Sequence, residues 1–322
     1  MKLVKDIYRV FFMEKRLPYS WQVFFQDKRY KNKLNGILAE VLKTKPISCS
    51  SSSDTELHML TCKNDTNMAL LSLKSLLRFE DKFSVVVHGD KTLTETDLYL
   101  FKQHIPNCRT VSYVEAGELA KSNNRIDKLR SLLPEMFKLG SEYSAQRDAW
   151  ALKVFDFHLT SKSQKVFVLD SDTLFLQKPE RLTDWINSGQ DSFYAVPYTP
   201  NLRIPESIYR EKFPNSELIE SFNGGFFGFH REIISMDAVA DVVEKVKDNS
   251  DVLIYGDECI WRLVIGTSNS SQLPYEHYPL FATKKRYVQL AANSSQYRYI
   301  HFLLKHRGGI YSKIAEQVLL DL

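Results

Sequence analysis

Cysteine is scarce in this chain of 322 residues, whose four cysteines lie far apart at positions 49, 62, 108 and 259 without a C-x-x-C spacing. Disulfide-stabilised domains and zinc knuckles need cysteines that are numerous or closely spaced. The sequence therefore argues against a disulfide framework and a structural zinc site. It favours a reducing compartment instead.

Long apolar runs are missing as well. No window approaches the eighteen uninterrupted apolar residues that indicate a transmembrane helix. Charged residues such as Arg9 and Glu14 interrupt the N-terminal apolar stretch, which spoils the pattern of a signal peptide. These absences predict a cytoplasmic protein. With 43% hydrophobic and 25% charged residues, the chain has a globular composition and can bury a full core.

Positive charge is concentrated at the N-terminus. The net charge is +4, but residues 1–45 alone carry +7, which leaves −3 for the rest. We predict a basic, aromatic-rich helical extension with a Ser-rich linker over residues 1–53, and a single main domain over residues 54–322. Basic and aromatic residues together are typical of a segment that binds a partner or the inner membrane face peripherally. The alternative is two short helices, broken near Pro18, that pack their aromatic face onto the main domain. No nucleic-acid-binding motif is present, so no nucleic-acid partner is expected.

Apolar strands alternate with helical patterns along the main domain. The patterns predict strands over residues 57–62, 83–89, 109–116 and 165–170, and helices over residues 67–79, 97–105 and 145–160. Residues 123–140 are expected to be irregular or short-helical because Pro134 interrupts them. Strands that are apolar on both faces predict a mostly parallel sheet covered by helices. Ligands bind such sheets at the carboxyl ends of the strands.

Two carboxylates, Asp170 and Asp172, follow the buried strand 165–170 at such an end. They repel each other and raise each other's pKa unless a cation compensates. A hard divalent ion such as Mg²⁺ or Mn²⁺ is the natural partner, with substrate phosphates completing its coordination. A single D-x-D also arises about once by chance in a chain of this length. A turn capped by one of the aspartates is therefore the alternative.

Three later segments carry further polar groups. In FNGGFFGFHR (222–231), paired glycines after Asn223 let the backbone approach a ligand closely, although a plain bulge would also use them. In YGDECIWRLV (255–264), Asp257 and Glu258 open a helix, where acids are also common as simple caps. In YIHFLLKHRGG (299–309), His301 ends a short strand, either as a structural residue or as a metal ligand.

These segments, together with WALKVFDFHLTSKSQKVFVLDSDTLFLQKPERL (150–182), resemble the glycosyltransferases of family 8, the glycogenin and lipopolysaccharide galactosyltransferase group. The four motifs occur in the family's order and spacing over roughly residues 56 to 310. The resemblance implies the GT-A fold, a Rossmann-like α/β fold. It also implies a UDP-sugar donor, a divalent metal (Mn²⁺ or Mg²⁺), and transfer to a hydroxyl of a glycan, a lipid-linked sugar or a protein.

The resemblance also implies a site, residue by residue. The implied metal ligands are Asp170, Asp172 and His301. The implied nucleotide-binding residues are Thr61, Cys62, Asn64, Asp65, Asp170, Ser171 and Arg307. The implied sugar and acceptor residues are Asn223, Gly224 and Gly225. The implied catalytic residues are Lys153, near the donor phosphates or sugar, Asp257, on the sugar hydroxyls, and Glu258.

The chain departs from the family at two places. Glu258 stands where the family usually has glutamine, and Arg307-Gly308-Gly309 stands where the family has Lys-Pro-Trp. Arg307 still supplies a cation for a diphosphate, and it can do so bidentately. The family implies retention of configuration. We expect Glu258 to assist electrostatically, but a carboxylate at this place could also be a nucleophile or a general base.

Two other functions remain open alternatives. A nucleotidyltransferase shares the sheet and the metal-bound phosphates, but it would need a Gly-rich, basic loop after the first strand, where this chain has TCKNDTN. A catalytically silent nucleotide-sugar-binding protein would bind the donor without turnover. The stretch 199–221 precedes Asn223 as a long loop or short-helix insertion, and such loops commonly select the acceptor.

Overall fold

The computed structural model describes residues 33–140, 147–189, 191–197, 206–214, 216–249, 256–281, 296–302 and 310–322. Residues 1–32 of the predicted extension, residues 199–205 and 215 of the predicted acceptor loop, and Arg307 lie outside the described residues. No helix in the described part of the chain is long and apolar enough to cross a membrane.

Strands and helices alternate through the first half of the chain. The strands are β1 (Thr55–Thr61), β2 (Ser84–Gly89), β3 (Arg109–Val111), β4 (Lys165–Leu169), β5 (Thr173–Phe175), β6 (Ser192–Ala195), β7 (Asn223–His230), β8 (Ser270–Gln272), β9 (Leu280–Phe281) and β10 (Tyr299–Phe302). The helices are α1 (Thr66–Leu77), α2 (Glu95–His104), α3 (Tyr113–Ala120), α4 (Asn124–Gly140), α5 (Arg147–Thr160), α6 (Glu180–Asn187), α7 (Glu206–Lys212), α8 (Met236–Val246), α9 (Asp257–Ile265) and α10 (Ser312–Leu320).

Seven of the described strands form the central sheet of the domain, in the order β3-β2-β1-β4-β7-β6-β8. Within this sheet, β7 pairs antiparallel with both β4 and β6, whereas the other described strand pairs are parallel. A mostly parallel sheet flanked by helices confirms the predicted α/β fold class. The carboxyl ends of β1 and β4 consequently lie side by side at one edge of the sheet.

Each face of the sheet has its own hydrophobic core, because alternate side chains of a strand point to opposite faces. In β4, Phe167 and Leu169 belong to a core with α1, α2 and α10, while Val166 and Val168 belong to a core with α4, α5, α8 and α9. All four side chains are fully buried. Strand β4 is therefore fixed on both sides, and so is the position where it ends.

A smaller sheet, with the order β5-β10-β9, brings the C-terminal part of the chain to the same edge. In the antiparallel pair of β10 and β5, His301 lies opposite Thr173. The backbone N–H of Phe302 donates to the carbonyl of Asp172 at 2.9 Å. This pairing carries His301 to the Asp-Ser-Asp turn across more than a hundred residues of sequence.

Residues 33–53, the described part of the predicted extension, pack against the main domain. They begin with a helical segment (33–40) and a 3₁₀ turn at Val41–Lys43, and Leu34, Ile37 and Val41 join the core of α1. The buried ammonium of Lys74 donates to the hydroxyl of Thr44 at 2.6 Å and to the carbonyl of Lys45 at 2.7 Å. These residues therefore share a core with the domain that follows. The predicted boundary after residue 53 stays a prediction.

The prediction of a strand over residues 109–116 is wrong from residue 112 onward. Strand β3 ends at Val111, and α3 begins after Ser112, whose hydroxyl accepts a hydrogen bond from the N–H of Glu115 at 3.1 Å. Ser-x-x-Glu is a helix-capping pattern, and this local cap outweighs the β-propensity of the residues around it.

The irregular segment predicted over residues 123–140 is also wrong, because α4 continues through Pro134. Ile126, Leu129, Leu133 and Phe137 recur at helical spacing and are buried in the core of α5 and α8. Burial of this apolar face outweighs the backbone hydrogen bond that proline cannot donate.

Replacing Pro134 with alanine should therefore stabilise the domain. We expect Pro134→Ala to raise the free energy of unfolding by about 1–3 kcal/mol, because alanine restores the missing N–H donor and removes the steric clash in the preceding turn. Denaturant unfolding measures the change. Leu132→Ala on the same helix is the control, since Leu132 is 41% exposed and should change the stability by less than about 0.5 kcal/mol. A lower unfolding midpoint for Pro134→Ala would contradict this explanation of α4.

Candidate functional site

The predicted nucleotide-binding residues lie where β1 and β4 end together. Strand β1 ends at Thr61, and Cys62 and a 3₁₀ turn at Lys63–Asp65 lead into α1. Thr61 is buried, Cys62 and Asp65 are partly buried, and Asn64 is exposed. Burial raises the pKa of the Cys62 thiol, and nearby Asp65 adds to this shift, so the thiol is neutral near pH 7.

The Asp-Ser-Asp turn after β4 is held by hydrogen bonds on both sides. The backbone N–H of Asp170 donates to the carbonyl of Gly225 at 3.0 Å. The hydroxyl of Thr173 donates to the carbonyl of Asp170 at 2.8 Å and lies 2.8 Å from the hydroxyl of Ser72 in α1. Ser171, between the two aspartates, is buried. These contacts hold the backbone of the turn from which both carboxylates project.

The structure brings Asp170, Asp172 and His301 together. One ligand atom from each lies within 4.8 Å of the others. The Nε2 atom of His301 is 3.2 Å from Oδ1 of Asp172 and 3.9 Å from Oδ2 of Asp170. Burial alone would lower the pKa of His301, but the carboxylates of Asp172 and Asp170 raise it above its usual value.

This donor set fits a divalent cation. Asp172 and His301 are buried, so little water reaches them to offset the close approach of two carboxylates and an imidazole nitrogen. Carboxylate oxygens suit Mg²⁺ and Mn²⁺, and imidazole is a common ligand of transition metals, so the mixed set suits Mn²⁺. The two predicted carboxylates and the predicted histidine therefore form a candidate metal site.

Gly225 makes this close arrangement possible. A Cβ atom at this position would lie 2.4 Å from Cε1 of His301 and 2.9 Å from Oδ2 of Asp170. Any larger residue would push the ring or the carboxylate aside. The glycine is needed because β7 passes directly beside both of these side chains.

Lys153 connects the candidate metal site to α9. Its buried ammonium is 2.8 Å from Oδ1 of Asp170, 3.2 Å from Oδ2 of Asp257 and 3.3 Å from the carbonyl of Gly224. Burial lowers the pKa of Lys153, but the two carboxylates outweigh this effect and raise it above its usual value. The structure thus places the ammonium, as a fixed positive charge, between two aspartates.

Asp257 and Glu258 begin α9 beside the backbone of Gly224. Burial raises the pKa of the Asp257 carboxyl to about 6, although the Lys153 ammonium opposes the shift. Burial raises the pKa of Glu258 to about 7, and the negative charge of neighbouring Asp257 contributes to the shift. Part of the Glu258 side chain nevertheless reaches the surface. Near neutral pH, Asp257 is mostly charged, whereas Glu258 is divided between its charged and neutral forms.

Two further aromatic residues at the site escaped the sequence prediction. Gly256, at φ +57°, precedes α9 and lies against Trp150, so a Cβ atom there would be 2.5 Å from the indole ring. Tyr299 is fully buried, and burial followed by the charges of Asp170 and Asp172 raises its pKa well above the usual value. The period of two along β10 could have identified Tyr299, because it shares a strand face with His301. No sequence signal distinguishes Trp150 from an ordinary core residue.

Solved structures of glycosyltransferases share the fold of this chain at low sequence identity. The galactosyltransferase LgtC, solved with donor and acceptor sugar analogs, is 12% identical and aligns over 83% of this chain and 96% of its own, with a TM-score of 0.54. An active-site mutant of LgtC, 13% identical, aligns over the same shares with a TM-score of 0.53. The mannosyltransferase Ktr4p from S. cerevisiae, 12% identical, aligns over 77% of this chain and 78% of its own, with a TM-score of 0.51.

No protein-family model matches the chain, and no curated protein matches its sequence. At such identities the structural likeness concerns the fold alone. The chain has the GT-A glycosyltransferase fold that its sequence motifs predict.

Proposed function

We propose that this protein is a metal-dependent glycosyltransferase that moves a sugar from a nucleotide-sugar donor, UDP-linked, to a hydroxyl acceptor with retention of configuration. The observation that carries the proposal is the cluster of Asp170, Asp172 and His301 at the carboxyl edge of a GT-A sheet. A divalent cation held by these three residues would neutralise the charge of the departing nucleoside diphosphate.

The nucleotide side of the proposed site is the junction of β1 and β4. Thr61, Cys62, Asn64 and Asp65 would line the uridine pocket there, next to Asp170 and Ser171. Their position after β1 supports this role, because ligands of open α/β sheets bind where strands end. Arg307 would pair with the diphosphate.

The sugar side would be formed by Asn223, Gly224, Gly225 and Asp257. The buried Oδ2 atom of Asp257 has no hydrogen-bond partner of good geometry among the described residues, and it lies 3.2 Å from the Lys153 ammonium. Lys153 keeps Asp257 charged in spite of its burial. A charged carboxylate of this kind is well placed to accept hydrogen bonds from sugar hydroxyls, which bind more strongly to charged acceptors.

Glu258 would act next to this sugar site. Its carboxyl interacts with the backbone of Gly224 and lies beside Asp257. In its charged form it would stabilise the positive charge that develops on the sugar during transfer. A nucleophilic or general-base role would also need the charged form.

The acceptor would enter near residues 199–221, of which Glu206–Lys212 form helix α7. A glycan, a lipid-linked sugar and a protein hydroxyl all fit the proposal. Peripheral binding to the inner membrane face through the N-terminal segment would suit the lipid-linked acceptor.

Removal of the metal ligands tests the proposal directly. We expect the purified protein to hydrolyse or transfer a UDP-sugar when Mn²⁺ is present, and EDTA or Asp172→Ala to reduce turnover by a factor on the order of 100 or more. Asp81→Ala is the control, since Asp81 is exposed and precedes β2, at the opposite edge of the sheet.

Donor panels that include UDP- and GDP-sugars identify the nucleotide, and NMR of the released or transferred sugar assigns the anomer. Activity that survives both EDTA and Asp172→Ala would refute metal dependence. A thermal shift with UDP and Mn²⁺ but without turnover of any donor would favour the catalytically silent binding protein.

Gly225 gives a structural test of the metal site that needs no substrate. Gly225→Ala should weaken Mn²⁺ binding at least 10-fold, because the new methyl group displaces His301 or Asp170. Isothermal titration calorimetry measures the affinity. Gly224→Ala is the matched control, because its Cβ would lie 3.4 Å from the nearest atom, an ordinary contact distance. Equal affinities for the two variants would contradict the placement of the cation beside β7.

The pKa of Glu258 predicts the pH dependence of the reaction. Because its charged form is the active one, kcat/KM should rise as the pH increases through about 7, the pKa of this carboxyl. Glu258→Gln should lose this rise and react more slowly above pH 7. Turnover measured between pH 5.5 and 8.5 compares the two proteins. An unchanged rate and pH profile in Glu258→Gln would exclude a chemical role for the carboxylate.

A further inference from the structure

Asn223 lies between the backbone of β7 and the ring of His301. It is the first residue of β7 and is 1% exposed. Its Oδ1 atom is 2.9 Å from the backbone nitrogen of Gly225 and 2.9 Å from Nδ1 of His301. One buried side-chain oxygen therefore meets two nitrogen atoms at once.

The orientation of this amide follows from the chemistry of its neighbours. A backbone N–H can only donate a hydrogen bond, so the atom that faces Gly225 must be the amide oxygen and not the amide nitrogen. The same oxygen faces Nδ1 of His301, so Nδ1 must also donate. The proton of the neutral ring is consequently on Nδ1.

This tautomer leaves the lone pair of Nε2 pointing at carboxylate oxygens. The distances are 3.2 Å to Asp172 and 3.9 Å to Asp170. A lone pair and two carboxylates repel each other unless a positive charge lies among them. The opposite tautomer would place a hydrogen on Nε2, which would bond to Asp172 and block the nitrogen as a metal ligand.

We infer that Asn223, held by the N–H of Gly225, is a positioning residue that selects the metal-binding tautomer of His301 and fixes the ring in place. This inference rests on the proposed function and goes beyond the sugar and acceptor contacts proposed for Asn223. Histidines that bind metals in proteins commonly donate their second N–H to a fixed acceptor, and loss of that acceptor weakens metal binding about 10- to 100-fold.

Two substitutions of Asn223 distinguish its role in orienting the His301 ring from other roles of its amide group. Asn223→Asp keeps an oxygen that accepts from both Gly225 and His301 but removes the amide donor. Asn223→Ala removes the acceptor. We expect Asn223→Ala to bind Mn²⁺ 10- to 100-fold more weakly than the wild type, and Asn223→Asp to bind it at least as tightly.

Isothermal titration of the full chain with Mn²⁺ alone, without donor, measures these affinities, and thermal unfolding checks that each variant is folded. Equal Mn²⁺ affinity in a folded Asn223→Ala and the wild type would overturn the inference. So would a loss of affinity in Asn223→Asp as large as that in Asn223→Ala.

The tautomer can also be measured in the wild type without metal. Long-range ¹H–¹⁵N NMR at a pH where the ring is neutral distinguishes a protonated Nδ1 from a protonated Nε2, and the signal missing from His301→Ala identifies the residue. We expect the proton on Nδ1, and a proton on Nε2 would overturn the inference. Failure of the wild type to bind Mn²⁺ would instead refute the proposed metal dependence, while the tautomer would still test the role of Asn223.

Discussion

The electrostatic balance around Lys153 is the interaction on which the candidate site depends. Asp170 follows β4 and Asp257 begins α9, and the carboxylates of both lie next to one buried ammonium. Removing charged groups from water is costly, and only close pairing of opposite charges offsets that cost. Lys153 lets β4 and α9 approach each other while leaving Oδ2 of Asp170 directed at His301. A neutral residue here would leave the buried carboxylate of Asp257 and the half-buried carboxylate of Asp170 without this compensation.

Sequence patterns predicted the strands that carry the site, because buried parallel strands are apolar on both faces and end abruptly in polar residues. Strands β1, β2 and β4 lie where this rule predicts them, and helices α1, α2 and α5 lie where the helical patterns predict them. The secondary-structure predictions failed at two places, where one sequence pattern was outweighed by a competing interaction. Helix α4 continues through Pro134 because its apolar face is buried, and β3 stops early because Ser112 caps a helix.

The grouping of Asp170, Asp172 and His301 was predicted from the resemblance of ordered motifs, not from the spacing of these residues in the sequence. Strand pairing explains why the grouping forms, since β10 aligns His301 with Thr173 and β7 aligns with β4. The sequence could not show that Lys153 pairs with two aspartates, or that Trp150 adjoins the site. Those contacts depend on packing angles between α5, α9 and the sheet, which no periodicity encodes.

The contact between Gly256 and Trp150 has a consequence for variation of this protein. The indole fills the volume that a side chain at position 256 would occupy, and the positive φ of Gly256 adds a second obstacle to other residues. Positions 150 and 256 therefore form a single steric unit at the start of the helix that carries Asp257 and Glu258. In related chains, a larger residue at position 256 would need a smaller residue at position 150, so we expect these two positions to change together.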